Sequence, residues 1–459
     1  MAPAQECGRR GTRNACRGEG GVTMASSFSR HNQSQFRRGA CPGLSSPMQT
    51  GDGLLARVAL TDAISPRQLS GMCRLASQHG NGIIDISARG NIQVRGLTET
   101  SAPLLDQDVR AMNLPLRSGL AVEVPPFAGL DPTEAADPRE LATAIAEGAK
   151  DIQGLAPKMS VIVDGSGRFK LSNLLADIRL VAMPPAEGDG WMILLGGTEA
   201  TAGLYGKVGT TADATAQVLD LLRRLAALGP SVRGRDLVEA GMERRHSPAS
   251  ASPLGLHPLS TEQYALGLSP AFGQLTAREL AALCVAAANA GIPTVKPALD
   301  HSLIFFGGLQ ACQSLQHYAA SEGFITVAND PRGAIAACPG SPACASATLA
   351  THDLAAHAVD EFGALLDGSF KLHITGCPKG CAFPQTSPLT LCGTAASISF
   401  IAGRASDAPF VAVKQVDVLT SLRRTAALLR SERREGESSA ACLARLKPEQ
   451  LADHITTGS

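Results

Sequence analysis

Aromatic side chains are scarce in this chain: Phe, Trp and Tyr make up 4% of its 459 residues, with a single Trp. Gly and Pro are frequent instead, at 47 and 28 copies, which suits a loop-rich α/β protein. There is no charge excess. Lys plus Arg equals Asp plus Glu at 41 each, so nothing global draws the chain to nucleic acid or to an anionic membrane. No apolar run reaches the roughly 18 residues that a bilayer span needs. Arg9-Arg10 is followed by no apolar stretch of the kind a secretory signal carries. Residues 1–35 are polar, rich in Gly, Ser, Arg and Asn, and are expected to be disordered. The expected compartment is the cytoplasm, where the 12 cysteines would be reduced thiols or metal ligands rather than a disulfide framework. A Gly-x-Gly-x-x-Gly turn is also missing. Gly165-Ser166-Gly167 stands alone, so the chain is expected to hold no nicotinamide of its own.

What is present begins with a repeat. Residues 54–60 read as a strand. Ser65-Pro66-Arg67-Gln68 then opens a helix, with Ser65 as cap, Pro66 in the first turn and Gln68 completing a capping box. Leu69, Met72, Leu75 and Ala76 recur at helical spacing, Gly80 and Gly82 stop the helix, and strands follow at 83–86 and 92–97. About 211 residues later the order returns: a strand at 264–268, the capping box Thr276-Ala277-Arg278-Glu279, the stripe Leu280, Leu283, Cys284 and Ala287, a stop at Gly291, and strands near 292–295 and 302–307. A β-α-β-β unit cannot bury its sheet alone, so the two are expected to pack on each other or on larger neighbours.

The organisation expected is a disordered extension over 1–35, a first half-unit over 36–120, an α/β lobe over 121–230, a linker over 231–260, a second half-unit over 261–325, a second α/β lobe over 326–430 and a tail over 431–459. The lobes should carry strands at 160–163, 191–195, 370–374 and 396–401, and helices at 214–228 and 416–429. Residues 431–439 read as charged and exposed, with a short helix after them.

Four cysteines stand apart. Cys338 and Cys344 form C-x5-C, Cys377 and Cys381 form C-x3-C, and 32 residues separate the pairs. Four thiolates are what a [4Fe–4S] cube needs, one per iron. Gly340, Gly376 and Gly380 let the backbone turn tightly around such a core, and Pro339, Pro342 and Pro378 stiffen the loops. Structural zinc is the rival. It favours C-x2-C to C-x4-C knuckles in small domains, unlike the C-x5-C spacing here. Unligated thiols are the third possibility.

The cysteine pattern and the duplicated half-units resemble the siroheme-dependent nitrite and sulfite reductase family over about residues 50–430. Three further stretches share the resemblance: residues 87–93 (SARGNIQ), 155–160 (LAPKMS) and 329–332 (NDPR). The resemblance implies an α/β (α+β) fold with duplicated ferredoxin-like half-domains and two nitrite/sulfite reductase-type α/β lobes. It implies a tetrapyrrole at the lobe junction beside the cluster, with Cys381 next to it. The reductases grip their small anion with two Arg and two Lys. Arg89 and Lys158 match one of each, but Ser160 stands where the second Lys is expected, and residues 119–125 (GLAVEVP) hold no Arg, although Arg117 lies just upstream.

Residues 37–44 (RRGACPGL), 47–53 (PMQTGDG) and 373–381 (HITGCPKGC) resemble the precorrin-3B synthase branch of that family. This branch implies an O2-dependent monooxygenase of aerobic cobalamin biosynthesis. Its substrate is precorrin-3A, hydroxylated at C20 with closure of a γ-lactone. Siroheme is then not expected as a cofactor, because the substrate is its metal-free relative. The branch implies a mononuclear non-haem iron, for which two His and a carboxylate are the usual ligands. Asp300, His301 and His373 are the nearest candidates, although each is more often an ordinary core or surface residue. Electrons are expected from NADH through a partner reductase or a ferredoxin-like carrier. The substrate's carboxylates would meet Arg or Lys. Arg89, Lys158, Arg332 and Lys379 are the chosen candidates, ahead of Arg95, Arg168 and Lys170. A siroheme-dependent nitrite or sulfite reductase is the alternative.

Overall fold

The computed structural model describes residues 42–239, 241–244 and 250–457. The expected disordered extension over 1–35 lies outside them. The first half-unit comprises β1 (Met48–Thr50), β2 (Gly53–Val58), α1 (Pro66–His79), β3 (Ile83–Ile86), β4 (Ile92–Leu97) and α2 (Ser101–Ala111). The first lobe follows with β5 (Ala121–Glu123), α3 (Arg139–Gly148), β6 (Ser160–Asp164), β7 (Ala176–Ala182), β8 (Trp191–Gly197), β9 (Gly203–Val208) and α4 (Thr211–Leu228). The second half-unit comprises β10 (Gly255–Pro258), β11 (Tyr264–Leu268), β12 (Gln274–Thr276), α5 (Ala277–Asn289), β13 (Thr294–Ala298), β14 (Ser302–Gly307) and α6 (Leu309–Ser321). The second lobe holds β15 (Ile335–Ala337), α7 (Thr351–Phe362), β16 (Leu372–Thr375), β17 (Ser387–Gly393), β18 (Ser397–Gly403), β19 (Val411–Lys414) and α8 (Val418–Glu432), then α9 (Ser439–Arg445) and α10 (Pro448–Thr457).

Both capping boxes form. The Ser65 hydroxyl accepts from the Gln68 amide while the Gln68 side chain accepts from the Ser65 amide, at 3.2 and 2.9 Å. Thr276 and Glu279 repeat the arrangement at 3.2 and 2.7 Å. Each box satisfies helix N–H groups that have no partner in the first turn. Gly80 is required by a close approach, since a Cβ there would lie 2.2 Å from the Arg95 carbonyl oxygen.

The two half-units share one core. Leu69, Met72 and Leu75 of α1 pack in the same cluster as Leu280 and Leu283 of α5 and Phe305 of β14. Cys73 of α1 and Cys284 of α5, equivalent positions of the repeat, meet there. Their hydrogen bond, together with burial, pushes the Cys284 thiol well up. The units also interlock through their sheets. The first sheet runs β1-β2-β4-β3-β12, so its last strand comes from the second half-unit, with Leu275 opposite Ile84. The second sheet is β10-β11-β14-β13.

Each lobe carries a five-stranded sheet in chain order, β5 to β9 and β15 to β19. In both, the first three strands run parallel and the next two pair antiparallel. The duplication therefore extends through the lobes.

Two expectations are corrected. The stretch read as a linker over 231–260 contains β10, whose residues pair with β11 from Gly255↔Gly267 to Pro258↔Tyr264. Beyond the exposed charged run, the tail is two helices rather than one. Cys442, Leu443, Leu446, Leu451 and Ile455 are buried in the second lobe's core. Among the described residues no helix is long and apolar enough to cross a membrane.

Candidate functional site

The four cysteines sit on two loops that leave neighbouring parallel strands of the second lobe. β15 ends at Ala337, and Cys338 follows with its amide donating to the Ile374 carbonyl at 3.2 Å. β16 ends at Thr375, and the next amide, that of Gly376, donates to the Cys338 sulfur at 3.2 Å. The Thr375 hydroxyl lies 3.8 Å from the same sulfur and donates to the Cys377 carbonyl at 3.0 Å. Strand alternation sends Leu372 and Ile374 into the core and leaves His373 and Thr375 on the cysteine side. The loops lock together: the Thr348 amide donates to the Gly376 carbonyl at 2.9 Å, and Lys379 Nζ reaches the Ser346 hydroxyl at 3.1 Å. Two glycines are fixed by space. A Cβ on Gly376 would meet the Ala347 Cβ at 2.4 Å, and one on Gly340, which has φ +64°, would meet Thr351 Oγ1 at 2.3 Å.

The thiols sense one another. Desolvation first, then the charges of Cys377, Cys338 and Cys344, raise the Cys381 thiol, with Lys379 opposing. Cys392 on β17, which sequence reading did not single out, is pushed up to about 11 by burial and by Cys377 and Cys338. Crowding of this kind disfavours the Cys381 thiolate unless cations share the space, which is what an iron–sulfur core would supply. Among the described residues no three His, Cys, Asp or Glu side chains converge on a point that would hold a single metal ion. Four cysteines on two adjoining loops are the donor set that a [4Fe–4S] cluster would take, one thiolate per iron.

The same finding bears on a mononuclear iron: no set of two His and a carboxylate is assembled among the described residues. Asp300 and His301 have φ +53° and +63° because they form the tight turn between β13 and β14, with the Ser302 amide donating to the Leu299 carbonyl at 3.1 Å. His301 is half-buried and its Nδ1 lies 2.6 Å from the Ile86 carbonyl. His373 is fully buried with no hydrogen-bond partner at either ring nitrogen among the described residues, and burial lowers it to about 4. It lies behind the cysteine loop, 6.0 Å from the Phe383 ring.

The cationic candidates separate clearly. Arg89 stands at a junction of three parts of the chain. Its backbone bridges to Leu299 of the second half-unit. Its guanidinium donates to Glu123 Oε2 of the first lobe at 2.9 Å and to the Leu175 carbonyl at 2.7 Å. The Glu123 carboxylate also faces Arg117, 3.6 Å away. Lys158 is exposed, with φ +66°. Its loop is held by Arg233, which forks onto Asp177 at 2.8 Å twice and also donates to the Pro157 and Lys158 carbonyls. Asp177 in turn accepts from the Ser160 amide at 3.0 Å. Arg233 lay in the supposed linker and carried no sequence signal.

Arg332 is occupied structurally. It forks onto Asp330 and donates to the Gly323 and Phe324 carbonyls, ordering the segment before Cys338. Arg95 is buried between Asp52 and Asp85 and donates to the Ala343 carbonyl at 2.6 Å, one residue before Cys344. Arg168 stacks on Phe169 and faces Asp131. Lys379 is exposed at the cysteine loop.

Comparisons with known proteins bear on the fold and the family. The family model described as the nitrite/sulfite reductase ferredoxin-like half domain matches residues 46–112. A solved structure of the NirA protein of Mycobacterium tuberculosis superposes with a TM-score of 0.65 at 18% identity, over 87% of this chain and 84% of that one, and so shares the fold. The ferredoxin–nitrite reductase of Synechococcus elongatus is 25% identical over 74% of this chain and 76% of its own length. The precorrin-3B synthase of a Sinorhizobium species is 40% identical over 90% of this chain and 93% of its own. Identity at that level, sustained through both half-units and both lobes, places the chain in the precorrin-3B synthase family, within the wider fold of the nitrite and sulfite reductases.

Proposed function

We propose that this chain is a precorrin-3B synthase of aerobic cobalamin biosynthesis, an O2-dependent monooxygenase that hydroxylates precorrin-3A at C20 and allows the γ-lactone to close. The observation that carries this reading is the full-length identity to a synthase of that name. One oxygen atom enters the product and the other leaves as water, so two electrons are needed. NADH would supply them through a partner reductase or a ferredoxin-like protein. A [4Fe–4S] cluster, when bound, passes electrons one at a time, and Cys338, Cys344, Cys377 and Cys381 would hold it.

The chain's own residues bind and orient. The substrate carries several carboxylates, and Arg89, Lys158 and Lys379 are the cations assigned to them. Arg89 still has N–H groups beyond those given to Glu123 and Leu175, and Lys158 and Lys379 are exposed. Arg332 and Arg95 are assigned to hold the cysteine loops in shape. No step is routed through a mononuclear iron, because no ligand set for it is assembled among the described residues.

A siroheme-dependent reductase is the second reading, supported by the Synechococcus relative. Glu123 and Ser160 speak against it. A carboxylate already faces Arg89, and a buried Ser stands where a second Lys is expected. Two measurements decide. The visible spectrum of anaerobically purified protein should show broad cluster absorption without a sirohaem Q band. Turnover of precorrin-3A under labelled dioxygen should add one labelled oxygen to the product. A sirohaem band, or label arriving only from water, would reject the synthase reading.

A further inference from the structure

The turn between β3 and β4 directs two guanidiniums toward one place. Arg89 belongs to the turn itself. Arg117 is tied to it through Asn91, whose side-chain oxygen accepts from Arg117 at 3.2 Å while the Asn91 amide donates to the Ser87 hydroxyl at 3.0 Å. Between the guanidiniums lies a single carboxylate. Glu123 gives Oε2 to Arg89 at 2.9 Å and Oε1 to Arg117 at 3.6 Å. The carboxylate is the more deeply set partner: its side chain is 10% exposed, against 35% for Arg89 and 21% for Arg117. It comes from the last residue of β5, held opposite Ile162 of β6, so its position is set by the lobe and not by a free loop.

Two neighbouring, partly buried guanidiniums make an oxyanion site, since each offers a planar fork of N–H donors to carboxylate, sulfate or phosphate. Here the chain supplies the oxyanion. We propose that Arg89 and Arg117 form such a site and that Glu123 keeps it filled, making Glu123 the residue that refuses small inorganic oxyanions. Glu123 accepts a hydrogen bond from Arg89 and pairs electrostatically with Arg117, so part of the positive charge is already met within the chain. A sulfate ion would have to displace a carboxylate that cannot diffuse away. A large polycarboxylate needs no displacement, because it can use the outer N–H groups of Arg89 and add contacts elsewhere. The proposal requires nothing of the tetrapyrrole reading. It concerns an anion site that can be measured without any tetrapyrrole present.

The test is a calorimetric titration of the full-length protein with inorganic sulfate. The wild type should bind sulfate weakly or not at all. Glu123→Gln keeps the shape, removes the charge, and should bind sulfate about 10- to 100-fold more tightly, the range expected of a charge-assisted hydrogen bond. Glu123→Asp keeps the charge and should stay close to the wild type. The gain should vanish in the Glu123→Gln, Arg89→Ala double variant. Equal sulfate affinity in wild type and Glu123→Gln overturns the proposal, as does a gain that survives loss of Arg89. If Glu123→Gln does not fold, the wild type decides against Arg89→Ala. Tight sulfate binding by the wild type that disappears with Arg89 would show the site open rather than filled.

Discussion

Replacing Arg95 with Met should both destabilise the protein and loosen the cysteine loop, and the two effects can be separated. The Arg95 side chain is 3% exposed. Its Nε and Nη2 donate to the two oxygens of Asp52 at 2.9 Å, Nη1 donates to Asp85 at 2.8 Å, and Nη2 also reaches the Ala343 carbonyl. Burial raises Asp52, but the Arg95 hydrogen bonds and charge outweigh it and hold this carboxyl below its ordinary value. Removing the cation leaves two largely buried carboxylates facing each other. Breaking one buried pair this way costs about 3–5 kcal/mol, a large share of the roughly 5–15 kcal/mol that holds a domain folded. The urea midpoint should fall accordingly. Cluster loss to a chelator under anaerobic conditions should accelerate, because Ala343 precedes Cys344 and among the described residues its carbonyl keeps the Gly51 amide alone, at 3.2 Å. Adding Asp52→Asn and Asp85→Asn removes the stranded charges. The triple variant should regain most of the stability but not the cluster retention. An unfolding free energy lowered by less than about 1 kcal/mol in Arg95→Met, within the range of a solvent-exposed pair, would refute the reasoning. So would cluster retention that returns in step with stability.

Changing any of Cys338, Cys344, Cys377 or Cys381 to Ser should abolish the reducible iron–sulfur EPR signal, while Cys73→Ser should leave it; a full signal in Cys377→Ser would remove that residue from the ligand set. Arg89→Ala should weaken precorrin-3A binding by about 10- to 100-fold with the cluster spectrum intact, and Arg89→Lys should recover only part, because an ammonium lacks the fork; unchanged affinity would take Arg89 out of the site. Glu134 is raised to about 7, first by burial and then by Asp131, Asp137 and Asp164, against the Gly129 amide that hydrogen-bonds it. A carboxyl whose folded value lies above its unfolded one favours the folded state at low pH and loses that advantage as pH rises toward 7. Glu134→Gln should therefore stabilise the protein more at pH 8 than at pH 5, by roughly 1–2 kcal/mol once partial exposure is allowed for; a difference independent of pH would contradict it.

The parts of the fold that the sequence announces are those written locally. Capping boxes specify α1 and α5 because Ser65, Gln68, Thr276 and Glu279 bond within four residues of each other. The cysteine pairs are legible for the same reason, since C-x5-C and C-x3-C each fit a single turn of chain. What escaped depends on long-range partners. β10 is a short strand of Gly, Leu, His and Pro, which no propensity favours, and it exists because β11 offers it an edge. The C-terminal helices form against the second lobe's core, and their apolar residues are too few to stand out amid charge. Arg233 looked like an ordinary surface cation and Arg95 like a further substrate-carboxylate candidate, and only the fold brings Asp177, Asp52 and Asp85 to them. Arg332 shows the converse. Its motif drew attention, but Asp330 two residues earlier takes up its fork.

The meeting of Cys73 with Cys284 places equivalent positions of the repeat face to face, as happens on the two-fold axis of a symmetric dimer. In a pair of identical chains, one substitution on such an axis changes both sides of the contact at once. In a fused chain each side changes alone. Fusion also frees the lobes from each other's cofactor. The loop after β16 carries Cys377 and Cys381, whereas the loop at the same place after β6 runs through Gly165, Ser166 and Gly167 with no cysteine before β7. A homodimer would have to carry the cysteine loop twice or not at all. The single chain keeps it in one lobe, which on the function proposed above would free the other lobe to hold the tetrapyrrole's acidic rim.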